Sequence, residues 1–327
     1  MFGQKRQLKT LGRYPDVSLA DARKKAVAVM GSQIGDQPPG TVQIAYPEAR
    51  AKFLVACKSR LKPRSHAEMT RQLTAYFTWD KALHKITHDD VATAVEAIKA
   101  PSEALHAFKN IRTFFNWSVP RYLKYSPVTG LKPPSRYIPR TRALNEGELQ
   151  SIWGAADREG YPFGTILKML ICTGARLNEI ASLQWSNVNT RDKTLTFPVT
   201  KNGRSHTIPY NGIVSTLLET IPRLNSTPLL FPSKKVDKVW AGSGPGKARL
   251  EMHPPIRPWV IHDLRRTMAH FWQKMRVRVE HTEAALNHLS GSRSGIVGVY
   301  QVYDYRDELR TCYNQWDAKL NEILARQ

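Results

Sequence analysis

Cysteine, acidic side chains and long apolar runs are all scarce in this 327-residue sequence. The three cysteines, Cys57, Cys172 and Cys312, are scattered and lack CxxC spacing. That usage suits a reducing cytosol and argues against both a disulfide framework and a zinc site. Neither an HExxH motif nor a tight carboxylate cluster occurs, so two-metal nuclease chemistry has little support and no metal or cofactor is expected. The first residues, MFGQKRQLKT, carry basic side chains with no apolar stretch behind them, so no secretion signal is expected there. With no basic amphipathic anchor and no long apolar run, a membrane partner is not expected. A cytoplasmic location beside the bacterial nucleoid is.

What the chain has in excess is positive charge. Lys and Arg number 49 against 27 Asp and Glu, a formal net charge of +22. Such an excess points to a polyanionic partner, and a nucleic-acid backbone is the usual one. A generically basic soluble protein is the bland alternative. A hydrophobic content of 41% supports real cores, and the length suits two domains.

Along the chain, QLKTLGRYPD reads as a strand with a turn. Ser18 and Asp21 then resemble a capping box that starts a short helix. DQPPGTVQIAYPE is a proline-marked linker. Four segments follow with apolar residues at helical spacing: PEARAKFLVACKSRL, HAEMTRQLTAYFTWD, HDDVATAVEAIK and EALHAFKNIRTFFNWSVPRYL. They predict a compact basic helical module, in which Trp79, Phe114, Phe115 and Trp117 form core rather than base-stacking platforms. VTGLKPPSRYIPRTRAL is a second linker, read either as a strap along phosphates or as a solvated connection. Beyond it GYPFGTILKMLICTG and ARLNEIASLQW read as helices. TLTFPVTKNGRSHTIPY predicts a hairpin with a two-residue turn at Asn202-Gly203. Helices return at HDLRRTMAHFWQKM and towards the end.

HDLRRT places His262 and Arg265 on one helical face with Arg266 beside them. TGARLNE does the same for Arg176 and Glu179, where Glu179 can hold the guanidinium flat for phosphate oxygens. Each pair alone also reads as a surface salt bridge, and Lys201 alone as a solvated turn lysine. Tyr300, Tyr303 and Tyr305 lie in VYQVYDY, either a nucleophile with its neighbours or a packed aromatic patch. Together, two arginines, two histidines, a lysine and a tyrosine suit phosphodiester cleavage. A phenol titrates at about 10 and needs cationic neighbours to attack readily. The departing alkoxide needs a proton, which a lysine crowded by arginines can supply.

The ordered set TGARLNE, TKNGRSHTIP, HDLRRT, LNHLSG and VY resembles the tyrosine recombinase (phage integrase) family over essentially the whole chain. The LGRYPDVSLADARKKA segment resembles its satellite-phage type. The resemblance implies Arg176 and Arg265 as phosphate-binding arginines, Glu179 as supporting acid and Lys201 as the acid for the leaving 5′ oxygen. It also implies His262 for proton transfer and His288 as a phosphate hydrogen-bonder. The asparagine before His288 departs from the glycine that many relatives carry. Many relatives space the nucleophile to land here on Val297, but LSGSRSGIVG is a longer loop whose next tyrosine is Tyr300, the implied nucleophile.

The implied fold class is mainly α with small β elements (α+β). It divides into a partial arm-binding domain (1–38), a helical core-DNA-binding domain (39–127), a linker (128–141) and a mixed α/β catalytic domain (142–327). Relatives have several strands plus a helix at the start, and only one strand and the helix are evident here. Either the segment is shortened or arm-site binding has been lost. The implied partners are double-stranded DNA gripped between the two lobes, a homotetramer on paired sites, and host or element-encoded DNA-bending factors. For Leu309, Cys312, Tyr313, Trp316, Leu320 and Ile323, the helical spacing implies packing on the parent domain, and the resemblance implies docking on a neighbouring protomer. Two alternatives stand beside recombination: a DNA-binding remnant without cleavage, and strand relaxation of the type IB topoisomerase kind.

Overall fold

The computed structural model describes residues 10–13, 15–19, 21–23, 25–26, 43–119, 121–136, 138–200, 203–233, 238–251, 257–288 and 303–326. They divide into two compact units, Met1–Pro139 and Arg140–Gln327. No helix among the described residues is long and apolar enough to cross a membrane.

In the first unit the segment Thr10–Arg13 is not a strand, and a turn falls at Pro15 and Asp16. The rest of the expected strand lies outside the described residues. The Ser18 cap is present: its Oγ accepts from Asp21 N at 3.1 Å and donates to the Asp21 carboxylate at 2.7 Å. Four helices follow, α1 (Tyr46–Lys58), α2 (Pro63–Ala75), α3 (His88–Glu96) and α4 (Pro101–Ser118). Proline stands in the first turn of α1, α2 and α4, where its missing N–H costs nothing. In α3, Thr87 and Asp90 cap each other's backbone instead. Tyr46, Phe53, Phe77, Phe108, Phe114 and Phe115 fill the core, with Trp79 and Trp117 packed against it. Edge-on ring pairs such as Phe53 and Phe114 at 5.5 Å hold the helices in register. Of the four aromatics expected to be core, Phe114 and Phe115 are buried in it, and Trp79 and Trp117 are half-buried against it.

The second unit is built around α6 (Phe163–Thr173), buried on nearly all sides except at Thr165 and Lys168. A helix apolar all round belongs at a domain centre. Around it pack α5 (Glu146–Glu159), α8 (Gly212–Thr220), α10 (Ile261–Lys274) and α12 (Arg306–Ala325). The predicted helix over ARLNEIASLQW shrinks to α7 (Leu177–Ala181), because Leu183 O leaves the helix to accept from Leu230 N. Short helices α9 (Ser243–Glu251) and α11 (Val279–Ala285) complete the set among the described residues. Three antiparallel strands lie in the order β1 (Val188–Asn189), β2 (Thr194–Phe197), β3 (His206–Pro209). The β2–β3 ladder runs from Thr194 opposite Pro209 to Phe197 opposite His206. Its connection is longer than the expected two-residue turn. Gly203 N donates to Thr200 O and Thr200 N to Arg204 O, with Gly203 at φ 76. Gly203 therefore takes the left-handed position after a turn, not the centre of one.

Helix α12 docks on its own unit. Leu309, Cys312, Tyr313, Trp316, Leu320 and Ile323 are all buried there, worth on the order of 10 kcal/mol before ordering entropy is counted. Tyr313 Oη donates to Thr173 O at 2.9 Å and Trp316 Nε1 to Ile171 O at 3.0 Å. These are carbonyls of the last turn of α6, which has no partners of its own for them. The tail helix thus completes the end of α6 from which the next loop departs.

Candidate active site

That loop is Gly174-Ala175-Arg176. Gly174 ends α6 in the left-handed region, φ 62, and a Cβ there would lie 2.4 Å from Met268 Cε. Both the conformation and the space demand glycine. Gly174→Ala is expected to cost about 2–4 kcal/mol of stability, read as a lower denaturation midpoint for the second unit.

The glycine turn delivers Arg176 to the start of α7. Glu179, buried to 8% exposure, holds it with both oxygens. One accepts from Arg176 Nη1 at 2.7 Å, the other from Arg176 N at 2.8 Å. The same carboxylate therefore fixes the backbone and the guanidinium, a tighter device than the surface salt bridge the spacing alone allowed.

Arg265 comes from the first turns of α10 and is 4% exposed. Its Nη1 donates to Gly174 O at 2.7 Å and its Nη2 to Leu286 O. Both partners are neutral carbonyls, so the hydrogen bonds satisfy the group without cancelling its charge. Burial, and then the nearby Arg176 charge, push its pKa down to about 10. It remains a cation at neutral pH.

His262 and His288 both feel the charges of the same two arginines. His262 is exposed, yet partial desolvation, then Arg265, Arg266 and Arg176, hold its pKa below the usual imidazole value. For His288 the causes are burial, then Arg265 and Arg176. Both rings are therefore biased to the neutral form, able to take or share a proton. Lys201 and Tyr300 lie outside the described residues. The flanking Thr200 is buried at the base of the hairpin loop.

Tyr303 and Tyr305 are described. The Tyr303 hydroxyl donates to both Glu308 carboxylate oxygens, at 3.2 and 3.1 Å, and that bond raises its pKa. Tyr305 starts α12 at φ 53, its ring 5.3 Å from that of His281.

Two residues escaped the sequence reading. Asp263 is fully buried, accepts from Val260 N, Arg140 and Arg266, and so holds the start of α10. An acid three residues into a helix was the available signal. Arg140 and Arg142, the latter bonded to Glu148, thus have acidic partners within the second unit. Asn287 is the other; only its place before His288 was noticed.

Known proteins match this chain as follows. The model of the phage integrase family matches residues 142–300. An integrase/recombinase of Haemophilus influenzae is 30% identical over 122 residues, 34% of this chain and 33% of that protein. Prophage integrase IntZ of Escherichia coli is 25% identical over 255 residues, 75% of this chain and 62% of the relative. The chain thus spans less than two thirds of the length of either. Among solved structures, a lambda integrase tetramer bound to a Holliday junction superposes with a TM-score of 0.65 at 16% identity. That likeness covers 87% of this chain and 90% of the other, and carries the mostly helical fold.

Proposed function

We propose that this chain, whose residues 142–300 match the phage integrase family, is a tyrosine recombinase, a site-specific DNA recombinase of a mobile element. It cuts and rejoins strands through a 3′-phosphotyrosyl link. The observation that carries the reading is Arg265: a buried guanidinium held by two carbonyls, its charge uncancelled, beside a second arginine fixed by Glu179. Two fixed cations flanked by imidazoles biased to neutrality form a receptor for a phosphodiester in which negative charge develops.

In the proposed step, Tyr300 Oη attacks phosphorus as its proton passes to His262. The Oη–P bond forms and the P–O5′ bond breaks. Arg176 and Arg265 bind the non-bridging oxygens, His288 hydrogen-bonds one of them, and Lys201 protonates the leaving O5′. Rejoining is the reverse with a 5′ hydroxyl as nucleophile, so the bond energy is kept in the phosphotyrosine. The basic first unit binds the duplex alongside. Four protomers act on two paired sites, in line with the dimer and tetramer forms of lambda integrase on DNA.

Incubation with a nicked suicide duplex tests the proposal. The expected product is an SDS-resistant protein–DNA adduct, and clear binding without any adduct would favour a non-cleaving DNA-binding protein. Duplex affinity should also fall with salt at a log–log slope of about −0.9 per phosphate neutralised. A flat response would contradict an interface built on the +22 charge.

A further inference from the structure

Asn287 occupies a backbone position that suits glycine, with φ 48 in the left-handed region. The asparagine meets that demand and adds a bond glycine cannot make. Its Nδ2 donates to Thr200 Oγ1 at 3.0 Å, across 87 positions of sequence. The Thr200 hydroxyl has one proton and gives it to Arg204 O at 2.9 Å, so from Asn287 it can only accept. That fixes which way the amide faces. A second bond runs alongside, between His206 Nε2 and Ala285 O at 3.0 Å.

The base of the hairpin loop is therefore held at two points by the end of α11. The intervening residue, Leu286, gives its carbonyl to Arg265, and the next one is His288. Four consecutive residues, 285–288, thus contact the hairpin twice, hold the buried arginine once and supply a site imidazole. Lys201 follows Thr200 directly in sequence.

We infer that Asn287 is a positioning residue. It fixes Thr200, the residue directly before the lysine in sequence, to the segment that holds Arg265 and supplies His288, and through Thr200 it acts on the proton transfer to the leaving oxygen. The inference rests on the reading of Lys201 as general acid, and the test separates the two.

Single-turnover cleavage is measured on an ordinary duplex and on one with a 5′-bridging sulfur, whose thiolate leaves without a proton. Lys201→Ala is the control for the acid. It should be slow on oxygen and restored on sulfur. Asn287→Gly keeps a residue suited to positive φ and removes the side-chain bond to Thr200. It should cut the oxygen substrate about tenfold more slowly, the size expected of a slightly misplaced group, and the sulfur substrate at the parent rate. Thr200→Val should behave the same way, and Thr200→Ser should recover the oxygen rate. In the Asn287→Gly, Thr200→Val double variant the combined effect should be less than the sum of the two, because each single variant already removes the bond between the two side chains. Equal slowing of both substrates by Asn287→Gly would overturn the positioning role while leaving Lys201 in place. Failure of sulfur to restore Lys201→Ala would remove the lysine from the acid role, and the inference with it.

Discussion

Tyr300→Phe is expected to abolish the covalent adduct, lowering single-turnover cleavage by at least about 10⁴-fold, because the proposed step makes its hydroxyl the bond-forming atom. Duplex affinity should stay near the parent value, since phosphate contacts by Lys and Arg dominate it. The environment of the neighbouring tyrosines supports this choice. A phenol becomes a nucleophile when cations stabilise its anion. Tyr303 meets the opposite: it is bonded to Glu308, with Asp307 and Asp304 also raising its pKa. Tyr305 stands at the entry to α12 beside His281. Tyr303→Phe is therefore expected to form adduct within about twofold of the parent, the effect of an ordinary exposed position. If Tyr303→Phe abolishes the adduct and Tyr300→Phe does not, the assignment is reversed.

Arg265→Ala should have the second-largest effect, and on two observables at once. Loss of a fixed charged donor at the phosphate is expected to slow cleavage by about 10²–10³-fold. The same change strips donors from Gly174 O and Leu286 O, two carbonyls on loops that frame the site. Buried carbonyls left without donors, together with the space vacated, should cost about 2–4 kcal/mol in denaturant unfolding. Arg265→Lys tests the geometry separately. One ammonium on a single stem lacks the planar fork that spans both carbonyls, so activity should remain well below parent even though charge is kept. A fully stable Arg265→Ala protein cleaving within about tenfold of parent would remove this residue from the centre of the site.

Much of the architecture was legible locally. The helical periodicity of the first unit, the all-round apolar character of α6 and the six-residue stripe of α12 each follow from which faces must leave water. The tail stripe shows the limit of that logic. Periodicity established a buried face but left its partner open, and the resemblance implied a neighbouring protomer. The structure buries it in cis, with Trp316 and Tyr313 donating to the carbonyls at the end of α6. The Asn202-Gly203 dipeptide predicted too tight a turn: Gly203 does accept φ 76, but the ladder already ends at Phe197 opposite His206.

By itself the sequence determined the residue types of the proposed chemistry and their order: Arg176 with Glu179, Lys201, His262 with Arg265, His288 and a following tyrosine. It also determined the basic charge and most of the helices. Only the tertiary structure decided how those present among the described residues are held. Arg265 rests on Gly174, 91 positions away, Asn287 grips Thr200 across 87, and Asp263 gathers Arg140 across 123. Periodicity and capping report contacts within a few residues of each other. Which loop ends meet is settled by packing the helices around α6, and that is a property of the folded chain as a whole.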